Sequence, residues 1–441
     1  MTTIVEKKKF SHLLFLLALI FMLPVQLLIF DIKIGLIACA GLILFLTVLI
    51  KPQYIFLLLI SLFSIEGFAA LENFSLPKIV AGLLTIGLFL RIAMTKETIP
   101  RDDAYKYFAL FLIGSLVSFA FAKDPIISWK IYITYISLFS LYILTRYFLQ
   151  NMDKINQALN YLLFSTLIIF VFLQLIGLSA REAPSFGRIS GGIGDANALA
   201  SFIVVLIPLA LYRSLNSKGF LRILYWILII SFFFVLIFTF SRGGMLGFIG
   251  MIAILIYYYS IRNMKYIMFI ILILATISIF FVPDEFWERA STIIHPELAP
   301  DQSINVRLMN YKASLKMFLD YPLGVGLNNF QLICINYGAL KEKVVHNTYL
   351  EVLVGGGVLS FIPFSLIFIN CWRKLKIKEY FDKNIRGLFI CLRASFVSIL
   401  ITSSFISGDH KKILWFLFAL ISSAFYISIN QHKASKSIDL N

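Results

Sequence analysis

The sequence is poor in charge. Of its 441 residues only 14% are Asp, Glu, Lys or Arg, where a soluble globular chain carries roughly 25%. This excludes an ordinary water-soluble fold. Cysteine is also scarce. The four are Cys39, Cys334, Cys371 and Cys391, and only Cys334 falls in an expected outside loop, so no disulfide framework is indicated. Acidic residues number 23 against 39 Lys and Arg, a formal charge of +16. That balance comes without any nucleic-acid-binding motif or soluble basic domain. It is the balance expected where basic residues are retained in cytoplasmic loops, and no nucleic-acid partner is expected.

What is abundant is apolar sequence, 60% of the chain. Runs of about 17–25 such residues recur, each long enough to cross a bilayer of about 30 Å. Backbone amides in lipid must be satisfied within their own segment, so the runs are helices. The expected spans are 11–30, 34–50, 54–70, 78–95, 105–122, 126–149, 157–179, 196–212, 221–240, 243–260, 266–282, 348–371, 385–406 and 411–429. The N-terminal MTTIVEKKKF and the apolar run after it read as an uncleaved first helix, because no small-residue cleavage site follows. The fold class is therefore all-α, a polytopic membrane protein of about 12–14 transmembrane helices, taken as one integral membrane domain over residues 1–441.

Placing the N-terminus in the cytoplasm and alternating puts most of the basic residues inside, WRKLKIKEYFDKNIR (372–386) among them. Both termini are then cytoplasmic. One soluble segment exceeds linker length, the outside loop 283–347, and long loops in compact chains are usually functional. Within it, SINVRLMNYKASLKMFLD (303–320) predicts an amphipathic helix with Val306, Met309, Leu315 and Phe318 toward one side.

Four outside patterns carry candidate chemistry. They are FGRISGGIGDANALA (186–200), TFSRGGMLGF (239–248), INVRLMNYKASLKMFLDYPLGVGLNNF (304–330) and HNTYLEVLVGGGVLSF (346–361). Each key residue also has a bland alternative. Arg242 could snorkel to headgroups, Arg307 could cover a solvated face, His346 could be a cap, and Arg188 could be structural. Together they suit an anionic substrate. Guanidinium forks bind phosphate oxygens in pairs and keep their charge, and a histidine suits general-base work on a hydroxyl. No D-x-D occurs outside, since Asp102-Asp103 falls inside, and no metal site or cofactor is expected. A transporter or flippase of lipid-linked oligosaccharide is a competing class. Such proteins usually place ionisable residues near the midplane, where Glu66 and Arg393 are the main candidates here.

The combination SRGG (241–244), YPLGVGLNNF (321–330) and HNTYLEVLVGGG (346–357) resembles the O-antigen ligase and polymerase superfamily of bacterial envelope glycosyltransferases. The stretch GDANALA (194–200) resembles that family's Asn-containing segment before a central helix. The resemblance implies an all-helical inner-membrane transferase, capped by a periplasmic loop. Its donor is a glycan on undecaprenyl diphosphate, and transfer is inverting and metal-free. The acceptor is lipid A-core in a ligase or another lipid-linked glycan in a polymerase. The resemblance matches Arg242, Arg307 and His346 to the family's essential residues. Arg188, Asn197 and Asn347 are candidates for substrate binding.

Overall fold

A computed structural model describes residues 51–66, 76–95, 97–175, 188–259, 303–340 and 344–438, with short pieces elsewhere. The expected spans at 11–30 and 266–282, and nearly all of that at 34–50, lie outside the described residues. Compactness divides the chain into two units, Met1–Leu59 with Ile79–Thr98, and Ile60–Lys78 with Ile99–Asn441. In the first, the Arg91 guanidinium pairs with Glu97 at 3.0 Å. Every candidate site residue belongs to the second.

The fold is all-α. Its helices are α1 (Pro52–Ser61), α2 (Leu76–Thr95), α3 (Tyr105–Val117), α4 (Pro125–Phe148), α5 (Met152–Leu175), α6 (Ala196–Asn216), α7 (Gly219–Phe238), α8 (Arg242–Tyr258), α9 (Ser303–Asp320), α10 (Phe330–Ile333), α11 (Thr348–Lys374), α12 (Lys383–Ser403) and α13 (Lys412–Ile438). Two-residue antiparallel ladders, Ala70–Leu71 with Phe74–Ser75 and Arg181–Glu182 with Arg188–Ile189, are the strands among the described residues. Among the described residues eight helices are long and apolar enough to cross a membrane, and Pro52–Ile65, Tyr105–Phe121 and Arg242–Tyr258 are shorter apolar helices. These account for every expected span within the described residues, and the chain is a multi-pass membrane protein.

Several boundaries differ from expectation. The span expected at 54–70 is α1 continued by a 3-10 turn to Ile65. At 1.5 Å per residue it is too short to cross a bilayer alone. Hydropathy ran past it because the following β-ladder is also apolar. The span expected at 157–179 starts at Met152 and is described as far as Leu175, with 176–179 outside the described residues.

Side-chain caps set many of the starts. Asp124 accepts from the Ile126 and Ile127 amides ahead of Pro125, the first residue of α4. Asp195 accepts from the Ala198 amide at the start of α6, and Asp382 from the Ile385 amide at the start of α12. Helix α6 is buried almost all round, as a helix apolar on every side should be. It packs on α7 and α12, and α8 packs on α12. Along that last seam small residues permit close approach, as in membrane helix pairs generally. A Cβ on Gly243 would stand 2.7 Å from Phe405 Cβ, and one on Gly247 2.6 Å from Thr402 Cγ2.

The Gly355-Gly356-Gly357 run breaks α11. Gly357 adopts φ 69° and ψ −173°, which glycine alone reaches cheaply. A continuous helix would bond the Val358 amide to the Val354 carbonyl. Here the Val358 amide donates to Pro322 O at 2.9 Å, and Val354 O accepts from the Val325 amide at 3.0 Å. The loop after α9 thus supplies both halves of the opened bond. Gly324, at φ 93°, fits because it has no Cβ to strike Gly355 O, 2.5 Å away. Further along, buried Asn329 fixes the loop. Its Oδ1 accepts from the Asp124 amide at 2.7 Å, and its Nδ2 donates to Ser128 Oγ at 2.8 Å and Leu327 O at 3.0 Å. The PLGVGLNN motif is therefore a fastening between loop and helix.

Candidate active site

The site assembles where several helices end together. It gathers the start of α6, the turn between α7 and α8, the inner edge of α9, the start of α11 and the 404–411 turn between α12 and α13.

Arg188 is held by two acceptors. Its Nε donates to Thr239 O at 3.0 Å and its Nη2 to Asn197 Oδ1 at 3.3 Å. The same Asn197 oxygen accepts from Ser241 Oγ at 2.9 Å. Ser241 in turn caps α8, accepting from the Gly244 amide at 3.2 Å. So Asn197 joins Arg188 to the helix start that carries Arg242. The backbone at Phe240 has φ 50°, which turns the chain sharply between α7 and α8. A helix N-terminus beside two guanidinium groups is a strongly electropositive setting.

Arg307 comes from α9 and is half-buried. Burial first, and then the charges of Arg242 and Arg188, lower its pKa from the ordinary guanidinium value, while Tyr311 and Asp195 oppose them. It remains a cation, as guanidinium does in proteins. The mutual effect places three arginines within electrostatic reach of one another. Asp195 is an acidic group near them.

His346 sits one residue before the cap of α11. It has φ 57°, the left-handed region that costs a non-glycine residue about 1–2 kcal/mol. Its neighbours hold it there. The His346 amide donates to Ser407 Oγ at 3.1 Å, and Ser407 Oγ donates to Glu351 Oε2 at 3.0 Å. Tyr311 Oη donates to His346 O at 3.2 Å and to Ser404 O at 2.8 Å. Tyr311 lies one turn beyond Arg307, so α9 delivers a cation and a clamp on His346 together.

Asn347 stands at the start of α11. Its Oδ1 accepts from the Tyr349 and Leu350 amides at 3.0 and 3.1 Å, capping α11. Thr348 Oγ1 donates to Ile406 O at 2.8 Å and accepts from the Gly408 amide at 2.9 Å, stitching the 404–411 turn to the same helix start.

The structure thus brings Arg188, Asn197, Arg242, Arg307 and His346 to one end of the unit. Sequence reading missed Tyr311, Ser407, Glu351 and Asp409. Glu351 was visible within HNTYLE, and Asp409 within the polar SGDHKK (407–412). Asp409 is buried and accepts from Tyr135 Oη at 2.6 Å, and its carbonyl accepts from Trp415 Nε1 at 2.6 Å.

A second charged cluster lies at the other end. Asp102 pairs with Arg146 at 2.9 Å and Lys374 at 2.6 Å, and Tyr142 Oη donates to it at 2.8 Å. Lys374 also meets Asp103 at 2.6 Å. His346 and Lys374 stand at opposite ends of α11, separated by its 27 residues and the break at Gly357. The expected midplane candidates are paired. Glu66 meets Lys412 at 2.5 Å, and Arg393 Nε donates to Leu375 O at 2.8 Å while its guanidinium stacks on Trp372.

These features define a multi-pass helical membrane protein with a cationic site at one end of its helices. Residues 226–365 match the model of the O-antigen ligase family. That stretch holds Arg242, Arg307, His346, the Asn329 fastening and the α11 break. That match supports a likeness to the O-antigen ligase/polymerase superfamily of membrane glycosyltransferases over this third of the chain. No curated protein matches the chain.

Proposed function

We propose that the protein is an O-antigen ligase, moving a glycan from undecaprenyl diphosphate to a hydroxyl of lipid A-core. The observation that carries this is the gathering of Arg188, Arg242 and Arg307 beside His346. In the proposed reaction His346 takes the proton of the acceptor hydroxyl. The freed oxygen attacks the anomeric carbon from the face opposite the leaving group. The bond from that carbon to the diphosphate breaks, and the electron pair leaves on the diphosphate oxygen. The arginines hold the charge that develops there, where fixed positive groups lower the barrier most. Inversion and independence from metal belong to this proposal, as do the bacterial inner membrane and a periplasmic site with cytoplasmic termini. Arg146, Lys374 and the 372–386 basic segment at the opposite end support that orientation.

The test is transfer from a purified undecaprenyl-diphosphate donor to lipid A-core, with and without EDTA. Core glycosylation that persists in EDTA supports the proposal. Elongation of the lipid-linked glycan with the core untouched would make the protein a polymerase. Loss restored by added metal would overturn metal independence.

A further inference from the structure

The outer face of α9 departs from expectation. Its buried side is Asn310, Ala313, Ser314 and Met317, packed beneath Tyr311 and against the 325–345 segment and Val354. The larger apolar residues point away. Leu308, Leu315 and Leu319 are 50%, 50% and 76% exposed. Their spacing of 7 and 4 residues sets them in one stripe along the helix. Lys312 and Lys316, both exposed, border the stripe on one side. Arg307 and Tyr311 border it on the other and face the site.

The rest of the same end shows where this stripe lies relative to lipid. Asn329 ties the loop to Asp124, the cap of α4. The first turns of α4 expose Ile126 and Trp129, with exposed Lys123 and Lys130 alongside. An exposed tryptophan among lysines at a helix end marks the membrane–water boundary. The 322–329 loop that continues α9 is fastened at that level.

We infer that α9 lies on the bilayer surface, with Leu308, Leu315 and Leu319 in the acyl boundary and Lys312 and Lys316 against anionic headgroups. An apolar stripe bordered by lysines suits such a helix, and so large an exposed apolar row asks for an occupant. The cationic border selects an anionic lipid surface, because a second copy of the chain would bring like charge to like. If the proposed function also holds, this seating puts Arg307 at headgroup height, where a lipid-borne diphosphate travels.

The test is photo-crosslinking of the full chain in nanodiscs containing phosphatidylglycerol, read by mass spectrometry without any activity assay. Benzoylphenylalanine is placed at Leu315 or Leu319, and at Ile249 on the exposed face of α8 as a lipid-facing reference. Lipid adducts at 315 and 319 within several-fold of the reference yield are expected. Adding Lys312→Glu and Lys316→Glu should lower those yields several-fold. Adducts only to a second protein chain, or none, would overturn the inference, and yields indifferent to the charge changes would overturn the role of the lysines. Because no turnover is read, failure here leaves the proposed reaction standing, and loss of that reaction leaves this seating standing.

Discussion

Gly324→Ala should cripple the fastening between the α9 loop and the broken helix, whereas Gly338→Ala should be mild. Both glycines have positive φ, 93° and 84°. Each substitution therefore incurs the left-handed cost of about 1–2 kcal/mol. Space separates them. A Cβ at 338 meets nothing within 4 Å, while one at 324 would stand 2.5 Å from Gly355 O and 2.6 Å from the Gly357 amide nitrogen. Those are backbone atoms that cannot rotate aside. Relief would require withdrawing the loop and surrendering the two bonds that replace the opened α11 bond. Overpacking adds about 1–3 kcal/mol, so Gly324→Ala should cost about 3 kcal/mol or more and Gly338→Ala about 1. Thermal unfolding in detergent measures this, followed by a thiol-reactive dye. Cys334, Cys371 and Cys391 are free and buried, so labelling in a Cys39→Ala background reports opening. Equal shifts in midpoint for the two variants would refute the wedge.

Asn329→Leu should destabilise by about 3 kcal/mol or more in the same assay, because several buried partners lose a bond at about 1–3 kcal/mol each; a shift under 1 kcal/mol would count against the fastening. Ser407→Ala should lower the transfer rate roughly 10- to 100-fold by loosening the His346 backbone, with donor KM little changed, and Ser407→Thr should recover most of it. An unchanged rate for the alanine variant would remove Ser407 from the site. Asp409 supplies a pH prediction. Burial works against its charge, but His410 and the Tyr135 hydroxyl hold its carboxyl below the usual carboxylate range. Its contribution is thus fully present above the unfolded value of about 3.9 and lost as pH falls through the lower folded value. Asp409→Asn should flatten the fall of the unfolding midpoint below about pH 4, and an identical acid limb in the two proteins would show that Asp409 does not titrate this way.

Much of the fold was legible because lipid imposes one rule on every segment, that the backbone satisfies itself. Long apolar runs such as 196–212 and 348–371 could hardly be anything but helices. The rule fails where helices are short. The 54–70 run is equally apolar, yet stops at Ile65 and turns into a β-ladder. The face of α9 was misjudged for a related reason. Apolar periodicity marks contact with something greasy, and for Met309 and Leu315 that something is not the core.

The site was partly legible in the same uneven way. Arg188, Arg242, Arg307 and His346 stood out because charge is rare among apolar residues. Asn347 stood out too, and its side-chain oxygen caps α11. Ser407 and Tyr311 had no local mark. They matter through bonds to His346 from 61 and 35 residues away, and such pairings appear only when the chain has folded. The PLGVGLNN motif looked like a site and is a clasp.

The measurement closest to the central claim is glycan transfer to lipid A-core by the wild type, His346→Ala, Arg242→Lys and Arg307→Lys at matched expression. The account predicts transfer by the wild type, near-complete loss in His346→Ala, and little recovery with lysine, which lacks the planar fork. Full activity in His346→Ala, or lysine variants equal to the wild type, would contradict it.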